Sequence, residues 1–129
     1  MNIRPVARRA DILTEELEGE LVIYDKRRDV ACRLNRTAAL VWRNADGVRT
    51  VEDLIEVLRD QVSPLADEDL VMVTLDRLEE QELLEPGYPH RTEQATALSR
   101  RRFITRAGAL GTAALALPVV QAIVAPTPA

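Results

Sequence analysis

A chain of 129 residues has room for one small domain and one further segment. Its net charge of −4 hides a division: the first 98 residues hold all 21 acidic residues and 13 of the 17 basic ones, while residues 99–129 hold four arginines and no acid. The acidic body argues against nucleic-acid backbone binding, and one cysteine with one histidine excludes an intrachain disulfide and argues against a protein-only zinc site.

Residues 1–11, with Arg4, Pro5, Arg8 and Arg9, have little periodicity and read as a loose N-terminal arm. Ile12, Leu13 and Leu17 begin a first strand, with Glu15, Glu16, Glu18 and Gly19 in the polar turn. Glu20-Leu21-Val22-Ile23-Tyr24-Asp25 is strongly β-favouring. After the turn Lys26–Asp29, Val30, Cys32 and Leu34 alternate with Ala31 and Arg33, so one face of a third strand is apolar. An antiparallel meander of this kind leaves a bare apolar face, which helices must cover.

Asn35 is placed to cap the helix that follows, with Ala38, Val41 and Trp42 on one face and Asp46-Gly47 as its stop. Trp42 is expected in the core. Thr50 with Asp53 forms a capping box ahead of the stripe Val51, Leu54, Ile55, Leu58 and Val62, which Ser63-Pro64 ends. Asp67-Glu68-Asp69 opens a third helix, where the helix dipole favours negative charge. The fold class is therefore α+β: a small winged-helix-like domain over residues 12–85, a three-stranded antiparallel meander followed by three helices. Residues 86–98, with two prolines and no period, read as a linker.

Residues 99–129 read as a basic-hydrophobic tail that adds a C-terminal hydrophobic helix. Ser99-Arg100-Arg101-Arg102-Phe103 precedes an uncharged run from Ala107 to Ala125, resembling a twin-arginine export signal through Arg100, Arg101 and Phe103. As a helix the run would be about 28 Å long, near the thickness of a bilayer core. Its place late in the chain departs from an export signal. The leading reading is a membrane anchor through residues 107–125, holding a cytoplasmic protein to the cytoplasmic face of the inner membrane. A surface-lying or protein-bound helix, an export-machinery ligand and a disordered tail are the alternatives.

No pattern for catalysis is present. The paired carboxylates are solvated faces, Cys32 is a small inward-facing residue without a neighbouring base, and there is no phosphate-binding glycine loop. The chain is read as a non-enzyme, with no cofactor and no metal. The informative feature is the third strand. An edge strand displays unpaired N–H and C=O groups. Arg27, Arg28 and Arg33 guard this one against aggregation, or else frame a site where an extended peptide, favoured if acidic, adds as a further strand.

The order Leu34-Asn35, Thr37-Ala38-Ala39, Trp42 and Asp46-Gly47, followed by the Thr50-Val51 and Leu54 helix start, resembles the PqqD family of peptide-binding domains, the RiPP recognition elements. The likeness runs from about Ile12 to Leu84. It implies that the leader of a ribosomally made precursor lies between the third strand and the third helix. Carried onto this chain, the contacts are Asp29, Val30, Ala31, Cys32, Arg33 and Leu34 with Leu70, Val71, Thr74, Leu75 and Leu78. The Leu34–Gly47 stretch itself is assigned to folding. The implied partners are the precursor peptide and a maturation enzyme, by family analogy a radical-SAM enzyme, with no nucleic acid. Two other classes stand beside this reading: a winged-helix nucleic-acid-binding regulator, for which the third helix is too acidic, and a structural membrane-tethered adaptor.

Overall fold

Two adjacent residues with positive φ make the first turn of the sheet, Glu18 at 51° and Gly19 at 82°. That pair is the two-residue hairpin turn whose twist matches the flanking strands. It joins β1 (Ile12–Leu17) to β2 (Glu20–Asp25), so Glu15 and Glu16 lie in a strand rather than in the turn. The next turn is built by Asp25, whose carboxylate accepts the amides of Arg27 and Arg28 at 3.0 and 3.2 Å and returns the chain into β3 (Val30–Leu34). The computed structural model describes residues 3–108 and 116–123.

Three helices follow as the capping residues require. Asn35 caps α1 (Arg36–Asn44) through the Ala38 amide, Thr50 and Asp53 form the reciprocal box of α2 (Val51–Gln61), and Asp67 caps α3 (Glu68–Glu80) through the Leu70 amide. The inward face of the sheet, with Leu21, Ile23, Cys32 and Leu34, lies against α1 and shares one core with Ala38, Val41 and Trp42 and with the apolar stripes of α2 and α3. Trp42 sits in this core, 2 % exposed, with its indole N–H donating to the Leu83 carbonyl at 3.1 Å.

The N-terminal arm is not loose. Its backbone is bonded to the ends of α1 and α3 through Ala7 to Ala45, Arg8 to Leu83, Gly47 to Pro5 and Glu85 to Val6. Arg8 is buried and paired with buried Asp25. An arginine is brought inside because a carboxylate with two amides already on it waits there.

Beyond Glu85 the structure departs from a linker and a hydrophobic helix. A fourth helix, α4 (Glu93–Gly108), occupies the second half of the supposed linker and the basic start of the tail, and packs along α3. Asp76 on α3 is the tie, and it is buried. Its carboxylate accepts the Tyr88 hydroxyl at 2.9 Å and the Thr96 hydroxyl at 2.9 Å, with Arg91 3.4 Å away. Burial raises the pKa of Asp76 above its ordinary value, against the lowering effect of these partners.

The uncharged run is not one helix. α4 is described as far as Gly108, residues 109–115 lie outside the described residues, and Val120–Ile123 form a strand, β4. Pro118 cannot continue a helix, and β-branched Val119, Val120 and Ile123 favour extended backbone. Among the described residues, no helix is long and apolar enough to cross a membrane. Among the described residues the fold is thus α+β, with helices α1–α4 and an antiparallel sheet in the order β1-β2-β3-β4, which gives the winged-helix likeness no support.

Candidate functional site

The outer edge of β3 is the strand edge singled out in the sequence, and β4 lies on it. Leu34 faces Val120, Arg33 faces Gln121, Cys32 faces Ala122 and Ala31 faces Ile123, antiparallel. The main-chain N–H of Asn35 donates to the Val119 carbonyl at 3.1 Å. Since backbone groups alternate sides along a strand, Arg33 and Ala31 turn their N–H groups the same way, toward β4, while Cys32 and Leu34 turn theirs to β2.

Asn35 does more than cap α1. Its Oδ1 accepts the Ala38 amide and the Val119 amide, both at 3.1 Å, and its Nδ2 donates to the Leu117 carbonyl at 2.8 Å. Ala116 is buried, and Leu117 and Val120 are half-buried against the core. The assignment of Asn35 to folding alone is therefore incomplete. A polar side chain able to donate and accept at the end of an edge strand was the available signal.

The other residues named from the sequence divide by depth. Asp29 is in the turn, with φ at 55°, and accepts the Tyr24 hydroxyl. Val30 and Ala31 are half-buried, Arg33 is exposed, and Cys32 and Leu34 face the core. Burial pushes the Cys32 thiol above its ordinary pKa, which keeps it protonated and a poor nucleophile. On α3, Leu70, Val71, Thr74, Leu75 and Leu78 are all fully buried. They belong to the core, not the surface, and Thr74 spends its hydroxyl on the Leu70 carbonyl at 2.7 Å.

The rim arginines are engaged within the chain. Arg27 lies 3.4 Å from Asp11, Arg28 lies 2.9 Å from Glu82, and Arg33 lies 3.3 Å from Glu20 while donating to Gln121 at 3.1 Å. Of the export-like motif, Phe103 is a core residue at 1 % exposure, and Arg100 and Arg101 line an open cleft of about 400 Å³ with Arg77. Arg106 on the same helix bonds Asp67 and Asp69. Among the described residues no group of His, Cys, Asp and Glu is arranged to hold a metal ion.

Comparison with known proteins bears on this edge directly. A family model described as coenzyme PQQ synthesis protein D (PqqD) matches residues 20–84, half of the chain. The chain belongs to the PqqD family. In comparisons with curated proteins and with solved structures, nothing matches. The PqqD match begins at Glu20, so it is narrower than the likeness seen from Ile12, and it takes in β2, β3 and the first three helices. It leaves out β1, α4 and β4, so the segment lying on the β3 edge is outside the PqqD part of the chain. PqqD domains are accessory recognition proteins that bind precursor peptides and work with modifying enzymes.

Proposed function

We propose that this PqqD-family protein is a non-catalytic module that holds the leader of a ribosomally made precursor peptide by strand addition on β3 and presents it to a modifying enzyme. The observation that carries the reading is the outer edge of β3, which accepts an extended antiparallel segment at Ala31–Leu34 with Asn35 at its end. Backbone pairing supplies affinity that tolerates sequence variation, and the side chains facing the core supply selection. The reading places the protein in the cytoplasm, where precursors are made, and gives it a radical-SAM enzyme as the family's analogous partner.

The test is a fluorescently labelled precursor peptide titrated into native protein and into Arg33→Pro. Proline at 33 removes an N–H directed away from β2, so the β2–β3 ladder is spared. Binding should weaken at least tenfold. Unchanged binding by a folded Arg33→Pro protein means that the peptide is not held as a strand on β3.

A further inference from the structure

The β3 edge is filled by residues of the same chain, and how it is filled describes the ligand. Val120 and Ala122 share a face of the sheet with Leu34 and Cys32; Val120 is half-buried against the core and Ala122 is exposed. Gln121 points to the other face and bonds Arg33. Upstream, Asn35 takes one N–H from Val119, and two carbonyls, from Leu117 and Val119, receive its donors. From Ala116 to Ile123 the segment has no charged residue. The arginines that would attract acid are already beside Asp11, Glu20 and Glu82.

We propose that residues 116–123 are a built-in occupant of the peptide site, and that the site's external ligand is an uncharged, apolar extended segment that enters by displacing them; this rests on the strand-addition reading above. The charge of these arginines is already offset by Asp11, Glu20 and Glu82, so an acidic peptide gains little from them, whereas an apolar one repeats the contacts β4 makes. A branched apolar side chain is selected opposite Leu34, and a free amide and two carbonyls within reach of Asn35.

Tethering sets the strength of the gate. Because the occupant belongs to the same chain, it competes intramolecularly, and a foreign peptide's apparent affinity is weakened by the ratio of the occupant's effective concentration to the occupant's own Kd for the open edge. A foreign peptide therefore needs better contacts, or a partner that pulls the occupant away.

The probe is a labelled synthetic peptide copying residues 116–125, titrated into three forms of the full-length chain. Cys32 is the only cysteine, and position 122 is its cross-strand partner. Oxidised Ala122→Cys therefore locks the edge shut, and reduction releases it. Gln121→Pro removes an N–H facing β3 and loosens the occupant. Expected are affinity at least tenfold tighter than native for Gln121→Pro, near-native for reduced Ala122→Cys, and at least tenfold weaker than native for the oxidised form. A charge-bearing copy of the peptide, with Asp at the positions of Val120 and Ala122, should bind no form. Equal binding to all three forms overturns the gate while leaving peptide recognition standing. Absence of binding even to Gln121→Pro overturns strand addition itself. Failure of Ala122→Cys to close under mild oxidant overturns the pairing with Cys32, and a disulfide-linked dimer places the occupant in a second copy and overturns the gate in cis.

Discussion

Asn35 grips Val119 from both its main chain and its side chain: its N–H donates to the Val119 carbonyl at 3.1 Å, and its Oδ1 accepts the Val119 amide at 3.1 Å. The same Oδ1 caps α1. One side chain thus links the start of the first helix to the strand that covers the sheet edge.

Two substitutions separate these duties. Asn35→Ala removes the cap and the grip together, and should cost about 1–2 kcal/mol in urea denaturation. Asn35→Asp keeps an acceptor for Ala38 and Val119 but loses the donor to Leu117, so its cost should be smaller. Amide hydrogen exchange at Arg33 and Gln121 should quicken in both variants. Exchange unchanged in Asn35→Ala would mean that β4 is held without Asn35.

Trp42, the only tryptophan, reports on the core where sheet and helices meet. Trp42→Ala should destabilise by about 3–5 kcal/mol. Trp42→Phe removes the indole N–H and part of the ring volume, while the Leu83 carbonyl still receives the Arg8 amide at 2.9 Å. The loss should be smaller than that of Trp42→Ala, about 1–3 kcal/mol, because no buried acceptor is orphaned but a small cavity is left in the core. A loss as large as that of the alanine variant would show that shape rather than the hydrogen bond governs this position.

The arginine-rich stretch before the apolar run gives a third prediction. If its place in the molecule is set by docking α4 on α3, Phe103→Ala should cost about 3–5 kcal/mol. The double change Arg100→Ala and Arg101→Ala should stay within about 0.5 kcal/mol of native, as both side chains lie at the surface of a cleft. Thermal melts of the two variants decide it. A destabilised arginine variant beside an unaffected Phe103→Ala would reverse the assignment.

What could be read from the sequence was set by local signals. The strands β2 and β3, the capping residues Asn35 and Thr50, the acidic start of α3 and the buried Trp42 were legible because each announces itself within a few residues. The arm, α4 and β4 were not, because long-range partners make them. Arg8 is buried only because Asp25 awaits it. Residues 86–92 are pinned by Asp76 from another helix, and an apolar run became a strand because β3 had an open edge. The β3 edge was legible as a strand edge flanked by arginines, without its occupant. The burial of Leu70, Val71, Thr74, Leu75 and Leu78 was not, because an all-round apolar stretch such as Leu70–Val73 does not say which face another helix will cover.

The buried pair also sets the acid response. Burial alone would raise the Asp25 carboxyl, but the Arg8 guanidinium and the amides of Arg28 and Arg27 outweigh it and hold its pKa below the ordinary 3.8. Amide bonds from Arg49 and Val48 lower Asp46 likewise, and bonds from Thr50 lower Asp53. Each of these carboxylates binds its proton more weakly when folded. Their contribution is complete above 3.8 and is lost as pH falls through the depressed folded values, since the unfolded chain takes up protons first. The urea midpoint should therefore fall as pH drops below about 4, while Asp76, whose pKa is raised in the fold, opposes the trend by binding its proton more tightly when folded. In Asp25→Asn the neutral-pH midpoint should already be lower, by about 3–5 kcal/mol in stability, because Arg8 is left as a buried cation without its partner. The remaining slope with acid should be shallower, though not flat, because Asp46 and Asp53 still titrate. A variant with the native slope would show that Asp25 does not couple folding to protons.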